Sequence, residues 1–332
     1  MSSRTSTENL PASARRPLSH AQARQLKEKA IAAVVTVVGF SGIAALLLIV
    51  IFVGREALPI LFDSEVGREA SLDKLFLPQV LRAGRPEGFM WQPVGEVPKL
   101  SMVPLLLGSL KVTVVAMALA APIGIAAALF SAEFAPRRAR EVLKPVIELL
   151  AGIPSVVLGF FALMTLASWT QDAFGFTSRL NALVAGLAMA IAIVPVVFTV
   201  AEDALTAVPH SYREASLALG ATRWETAWRV VLPAAAPGVL AACVLGFGRA
   251  IGETMIVLMA SGNAAIVSAS LTDSTRTMSA TIAAEMGEVV FGGVHWSVLF
   301  FIGVQLFAIT LVLNLLAGAF VRHLVRRLGA KS

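Results

Sequence analysis

A single cysteine among 332 residues, Cys243, leaves this chain unable to build an internal disulfide or a thiolate metal cluster of its own. Inside an apolar run such a thiol reads as a small hydrophobe. Histidine is almost as scarce. His20, His210, His295 and His323 are scattered, and no HExxH pair offers zinc ligands on one helix face. There is no Gly-x-Ser-x-Gly elbow to expose a hydrolase nucleophile. An ATP-binding loop needs GxxxxGK[ST], and the glycine-bearing run GRAIGET (248–254) has no lysine in the required place. These gaps predict a chain with no cofactor, no metal and no catalytic centre, whose energy input comes from another subunit.

Charge is also in short supply. Asp, Glu, Lys and Arg make up 14% of the chain and apolar residues 57%, where soluble domains run nearer a quarter and a half. Ile31–Val53, Val112–Ala132, Leu149–Gln171, Leu180–Ala201 and Trp296–Val321 contain none of the four charged types. Each reaches roughly 20 residues or more, enough to cross a ~30 Å hydrocarbon layer as a helix. A sixth apolar region, from Pro237 to about Asn263, is interrupted only by Arg249 and Glu253. The predicted fold is therefore an all-α integral membrane bundle of six transmembrane helices, since helices satisfy their own backbone polar groups in lipid.

The net charge of +6 reads as topology and not as a footprint for nucleic acid. Arg4, Arg15, Arg16, Arg24, Lys27 and Lys29 precede the first span. Arg137, Arg138, Arg140 and Lys144 lie between spans two and three, and Arg213, Arg223 and Arg229 between four and five. Arg322, Arg326, Arg327 and Lys331 follow span six. By the positive-inside rule both termini face the cytoplasm. The organisation expected is a disordered cytoplasmic tail (1–29) ending in a short helix, a first transmembrane helix (30–53), a periplasmic loop (54–101), a five-helix core (102–321) and a basic cytoplasmic tail (322–332). No cleavable signal is expected, because the first apolar run is too long for one.

Within that frame several segments carry expectations. Phe89, Trp91 and Pro93 read as interfacial anchors at the lipid headgroups. Lys111 opens span two, where a lysine can snorkel. In the loop 202–233, Pro209 offers a helix start, and Gly220 followed by Thr222 a break and a second N-cap. The small-residue run TMSATIAAEMGEVVFGG (277–293) is read either as dipping into the bundle or as lying on the outer surface. Arg249 and Glu253 are the charges set at mid-depth of span five. At i and i+4 they share a helix face and can meet. One reading is a structural ion pair. The other is a cationic post for an anionic solute, because guanidinium gives tetrahedral oxyanions two parallel hydrogen bonds and does not titrate away.

Glu214-Ala215-Ser216, three residues, Gly220, nine residues and then Val230-Val231-Leu232-Pro233 resemble the EAA loop of ABC importer permeases. Ser216 replaces the second alanine and Val230 the usual isoleucine. The runs Ala151–Val157 and Gly248–Thr254 are similar to those of the phosphate-specific permeases. The stretch Met255–Asn263, the long first outer loop and Trp91-x-Pro93 look more like the PstC-type member than its PstA-type partner.

The resemblance implies a type I ABC importer permease-like bundle in the cell inner membrane. It implies a second homologous permease as heterodimer partner, an ATP-binding subunit dimer and a periplasmic phosphate-binding protein. Glu214, Ala215, Ser216, Gly220, Leu232 and Pro233 would serve ATPase coupling, and Arg249 and Glu253 the substrate pathway. A PstA-type role, or transport of sulfate or molybdate, stays open within the class. A channel or secondary transporter is the alternative outside it, and would have no use for an EAA loop.

Overall fold

The computed structural model describes residues 20–80, 87–95 and 97–329, and these divide into two compact units after Phe52. Residues 1–19 of the expected tail, with Arg4, Arg15 and Arg16, lie outside the described residues, as do Pro86, Glu96 and Lys331. The chain is already helical at His20, ten residues before the expected start of the first span. Helix α1 (His20–Ala57) runs for 38 residues. Ile31, Phe40 and Leu48 on it are each about two-thirds exposed, an apolar surface suited to lipid.

The 54–101 segment forms a folded cap. It contains α2 (Pro59–Phe62), α3 (Ser64–Ala70), α4 (Leu72–Phe76) and two short antiparallel pairs. Strand β1 (Gln79–Val80) pairs with β2 (Glu87–Gly88), and β3 (Trp91–Gln92) with β4 (Lys99–Leu100). Asp63 starts α3 by accepting the Glu65 amide at 2.8 Å, as an N-cap carboxylate should. Leu75, Trp91, Leu100 and Met102 are buried in one cluster with Leu105, Met278, Val298, Leu299 and Ile302. Trp91 is thus a core residue and not a headgroup anchor: its indole N–H finds a half-buried carboxylate, and its ring is buried in that cluster.

Helix α5 (Val103–Leu129) continues into a π-helical turn at Phe130–Phe134. Next come the amphipathic α6 (Arg137–Ala151), α7 (Ser155–Phe161), a π turn and α8 (Ala167–Phe174). Helix α9 (Ala182–Thr206) is followed by α10 (His210–Ala218), α11 (Arg223–Thr226), a third π turn, α12 (Leu232–Ala234), α13 (Ala236–Ile251), α14 (Met255–Ala260), α15 (Met278–Glu285) and α16 (Val294–Gly329). Five described helical stretches are long and apolar enough to cross a membrane. A sixth is 223–234 with 236–251, bent by 71°. The main core joins α5, α9 and α13 through small side chains, among them Ala116, Ala120, Ala185, Ala188 and Ala242. Small residues let membrane helices approach closely without a hydrophobic drive between them.

Three expectations need correction. Span two begins at Val103, nine residues early, so Lys111 lies two turns inside α5. Its Nζ donates to the Ser268 and Ser270 carbonyls at 3.0 and 2.8 Å, which pins a loop instead of reaching headgroups. Span three does not include Leu149–Ala151, which end α6. Pro154 lacks an N–H and disfavours helix at the residue before it, and the chain restarts at Ser155. Span five is not continuous through Glu253, because α13 stops at Ile251.

Candidate functional site

The break after α13 is where the two charges of the expected span five fall. Gly252 caps the helix with φ −90° and ψ −3°, and α14 begins at Met255. Arg249 remains on the last turn of α13, exposed, and Glu253 lies in the gap, half-buried. With the helix ended between them they do not share a face, so the expected i, i+4 pair does not form. Among the described residues Arg249 has no ion-pair or hydrogen-bond partner. Glu253 folds onto its own backbone, its Oε1 accepting the Thr254 amide at 3.2 Å. From outside the break, Ser279 Oγ donates to the Glu253 carbonyl at 2.7 Å. Ser109, Thr113, Glu253, Thr277 and Ser279 converge at this point, with no water-sized space between them.

The loop with the EAA-like pattern takes the expected form. Pro209 precedes α10, and Gly220 has φ +85°, a left-handed conformation that glycine adopts without steric cost. Thr222 then caps α11 in a full capping box with Glu225. Ser216 is buried, and its Oγ lies 2.9 Å from Thr226 Oγ1 across the turn. This bond gives the serine a role that alanine in that position could not fill. Glu214, Ala215, Leu217 and Leu219 are exposed, Leu219 at 90%. Leu232 is half-buried and Pro233 exposed, both in α12 beside the 71° bend.

Three ionic clusters escaped sequence reasoning because their members are distant in the chain. Arg213 donates to Glu133 through Nε at 3.1 Å and Nη2 at 2.6 Å, and also to the Leu205 and Val208 carbonyls. This ties α10 to the end of α5. Glu202, 1% exposed, meets Arg140 and also Lys144 at 3.0 Å, which holds α6 against α9. Hydrogen bonds to Asp203 and Glu202 raise the Lys144 amine above its ordinary range, so it stays charged.

In the cap, Glu285 is met by Arg276 at 2.5 Å, His295 Nε2 at 2.8 Å and the Trp91 indole N–H at 3.0 Å. Burial acts to raise the Glu285 carboxyl. The hydrogen bonds from His295 and Trp91, with the Arg276 charge, outweigh it and hold the group below the usual carboxylate range.

Comparisons with known proteins give the family and the fold. Residues 98–330 match the family described as "Binding-protein-dependent transport system inner membrane component". The probable ABC transporter permease protein YqgH of Bacillus subtilis (strain 168) is 36% identical over 313 residues, covering 94% of this chain and 95% of that relative. The phosphate transport system permease protein PstC of Mesorhizobium japonicum is 34% identical over 261 residues, covering 73% and 78%. Among solved structures, an inward-facing MetNI methionine ABC transporter chain has a TM-score of 0.55 at 18% identity, covering 67% of this chain and 95% of that one. A chain of a bacterial ABC transporter that imports alginate has a TM-score of 0.52 at 15% identity, covering 86% and 96%; at these identities the likeness is one of fold, that of a type I ABC importer permease. The chain is a multi-pass membrane protein and belongs to the family of binding-protein-dependent transport system inner membrane components, the permeases of ABC importers.

Proposed function

We propose that the chain is one of two related permeases in an importer of inorganic phosphate, working with an ATP-binding subunit dimer and a periplasmic phosphate-binding protein. The observation that carries this is Arg249, an exposed guanidinium with no partner among the described residues, on the last turn of a broken membrane helix. A charge there is costly in lipid and is tolerated where it faces protein or water. Its planar fork suits a tetrahedral oxyanion. Glu253, no longer its partner, lies in the helix break as a second polar group on the route. Phosphate is favoured over other oxyanions by the PstC relatives, which are 30–35% identical to this chain.

Coupling runs through α10. Its exposed Leu217 and Leu219 offer an apolar contact to the ATPase, while Arg213–Glu133 and Ser216–Thr226 carry movement of the helix into α5 and α11. The sidedness follows the basic residues: both termini and α10 face the cytoplasm, and the 54–101 cap faces the binding protein.

Transport in vesicles holding the full complex tests this. Arg249→Gln removes a charge-assisted contact of about 1.5–3 kcal/mol, so uptake should fall tenfold or more while the complex still assembles. Failure of the variant to assemble would return Arg249 to a structural role. Gly220→Val places a β-branched residue at positive φ. It should abolish uptake and leave ATP hydrolysis uncoupled; unchanged uptake would remove α10 from coupling. Stimulation by sulfate-loaded and not phosphate-loaded binding protein would keep the importer and change the solute.

A further inference from the structure

The short helix α15 touches both the cap and the break at Glu253. Near its N-terminal end, Ser279 Oγ donates to the Glu253 carbonyl at 2.7 Å. Apart from backbone bonds to the flanking helices, at Ala250 and Leu258, it is the hydrogen bond that joins residues 252–254 to a distant segment among the described residues. At its C-terminal end, Glu285 accepts the Trp91 indole N–H at 3.0 Å, and Trp91 is buried in the cap. The two contacts are six residues apart, roughly 9 Å along a helix.

The segment between them is built as a stiff unit. Thr277 caps the helix, its Oγ1 accepting the Ala280 amide at 3.3 Å. Arg276 lies along it, donating from Nε to Thr281 Oγ1 at 3.1 Å and meeting Glu285 at 2.5 Å. The Met278 amide donates to Ser109 Oγ of α5 at 3.0 Å. Met278, Ala280 and Thr281 are buried. Helix α5 comes so close that a Cβ on Gly108 would sit 2.0 Å from the Arg276 carbonyl oxygen. A closely packed interior transmits displacement instead of absorbing it.

We infer that α15 is the link by which docking on the cap reaches the helix break, with Trp91 and Ser279 as positioning residues at its two ends. The inference rests on the importer reading above. A partner that shifts the cap pulls on Glu285 through Trp91, and the same helix displaces the Glu253 carbonyl through Ser279. The backbone that sets Arg249 and Glu253 then moves with it. Neither Trp91 nor Ser279 need touch the solute.

The test uses the whole complex in nanodiscs, with ATPase rate followed against the concentration of phosphate-loaded binding protein. Trp91→Phe keeps the ring and removes the donor. The stimulated rate at saturation should fall at least fivefold, with the half-saturating concentration and the unstimulated rate unchanged. Ser279→Ala should show the same loss of stimulation, and Ser279→Thr, which restores the hydroxyl, should recover it. Hydrogen exchange on the complex without binding protein supplies a second readout: amides 252–254 should exchange at least fivefold faster in Trp91→Phe. Full stimulation and unaltered exchange in Trp91→Phe would overturn the link while leaving the importer standing. A wild-type complex that no binding protein stimulates would instead overturn the importer reading, and the link with it.

Discussion

Glu202 is 1% exposed, yet two cations reach it, Arg140 and Lys144, whose side chains are about one-third exposed. A buried carboxylate needs such partners, because an unpaired one would be strongly penalised. Its neighbour Asp203 also bonds Lys144, at 2.9 Å, but is 65% exposed. Burial and not mere pairing should decide their contributions. Glu202→Gln should destabilise the complex by about 1–3 kcal/mol, read as a lowered thermal midpoint in detergent. Asp203→Asn, at a solvent-screened position, should change stability by about 0–1 kcal/mol. Equal effects would mean that burial is not what gives Glu202 its weight. Nothing local in the sequence marks Glu202: it follows an apolar span like any helix-end acid, and its partners lie 62 and 58 positions away.

At the scale of elements, the cap depends on Glu285. Its carboxyl is held below the usual range, so folding favours the ionised form. That contribution is fully present above the unfolded value of about 4.3 and is lost as pH falls through the lower folded value. The groups facing it are Arg276 of the preceding loop, His295 of α16 and the uncharged Trp91. Amides of the cap should therefore exchange faster as pH drops below about 4. Glu285→Gln should flatten that dependence; a wild-type cap indifferent to acid would rule the cluster out as its fastener. The second N-cap in the 202–233 loop belongs at this scale too. Thr222→Ala removes a capping box and should cost about 1 kcal/mol, seen as a lower thermal midpoint. Proline and glycine punctuation made both loop helices legible, because those residues limit the backbone locally. The cap was not legible, since its two-residue strands and four- to seven-residue helices are too short to show a period.

For the whole molecule, the predicted arrangement puts the cap and α10 on opposite sides of the membrane. In a Cys243→Ser background, Val94→Cys on the exposed cap surface should react with an impermeant maleimide added outside intact cells. Ser211→Cys on α10 should react only after the cells are opened. The reverse pattern would invert the orientation read from the basic residues. Six spans expected from composition became five long helices and one broken pair among the described residues. A helix can end inside an apolar run wherever glycine and a polar residue let the backbone turn, as at Gly252 and Glu253.

Composition alone determined that this is a helical membrane protein. The resemblance of Glu214, Gly220 and Pro233 to the EAA loop pointed to the importer family that the family match shows. These features are local or additive, so they survive in a one-dimensional reading. Only the tertiary structure decided that Arg249 and Glu253 are parted, that Trp91 is a core residue and that Glu202, Glu133 and Glu285 find cations from distant segments. Each of those outcomes depends on which distant segments pack together, and the polar groups of a low-dielectric interior take whatever partners that packing supplies.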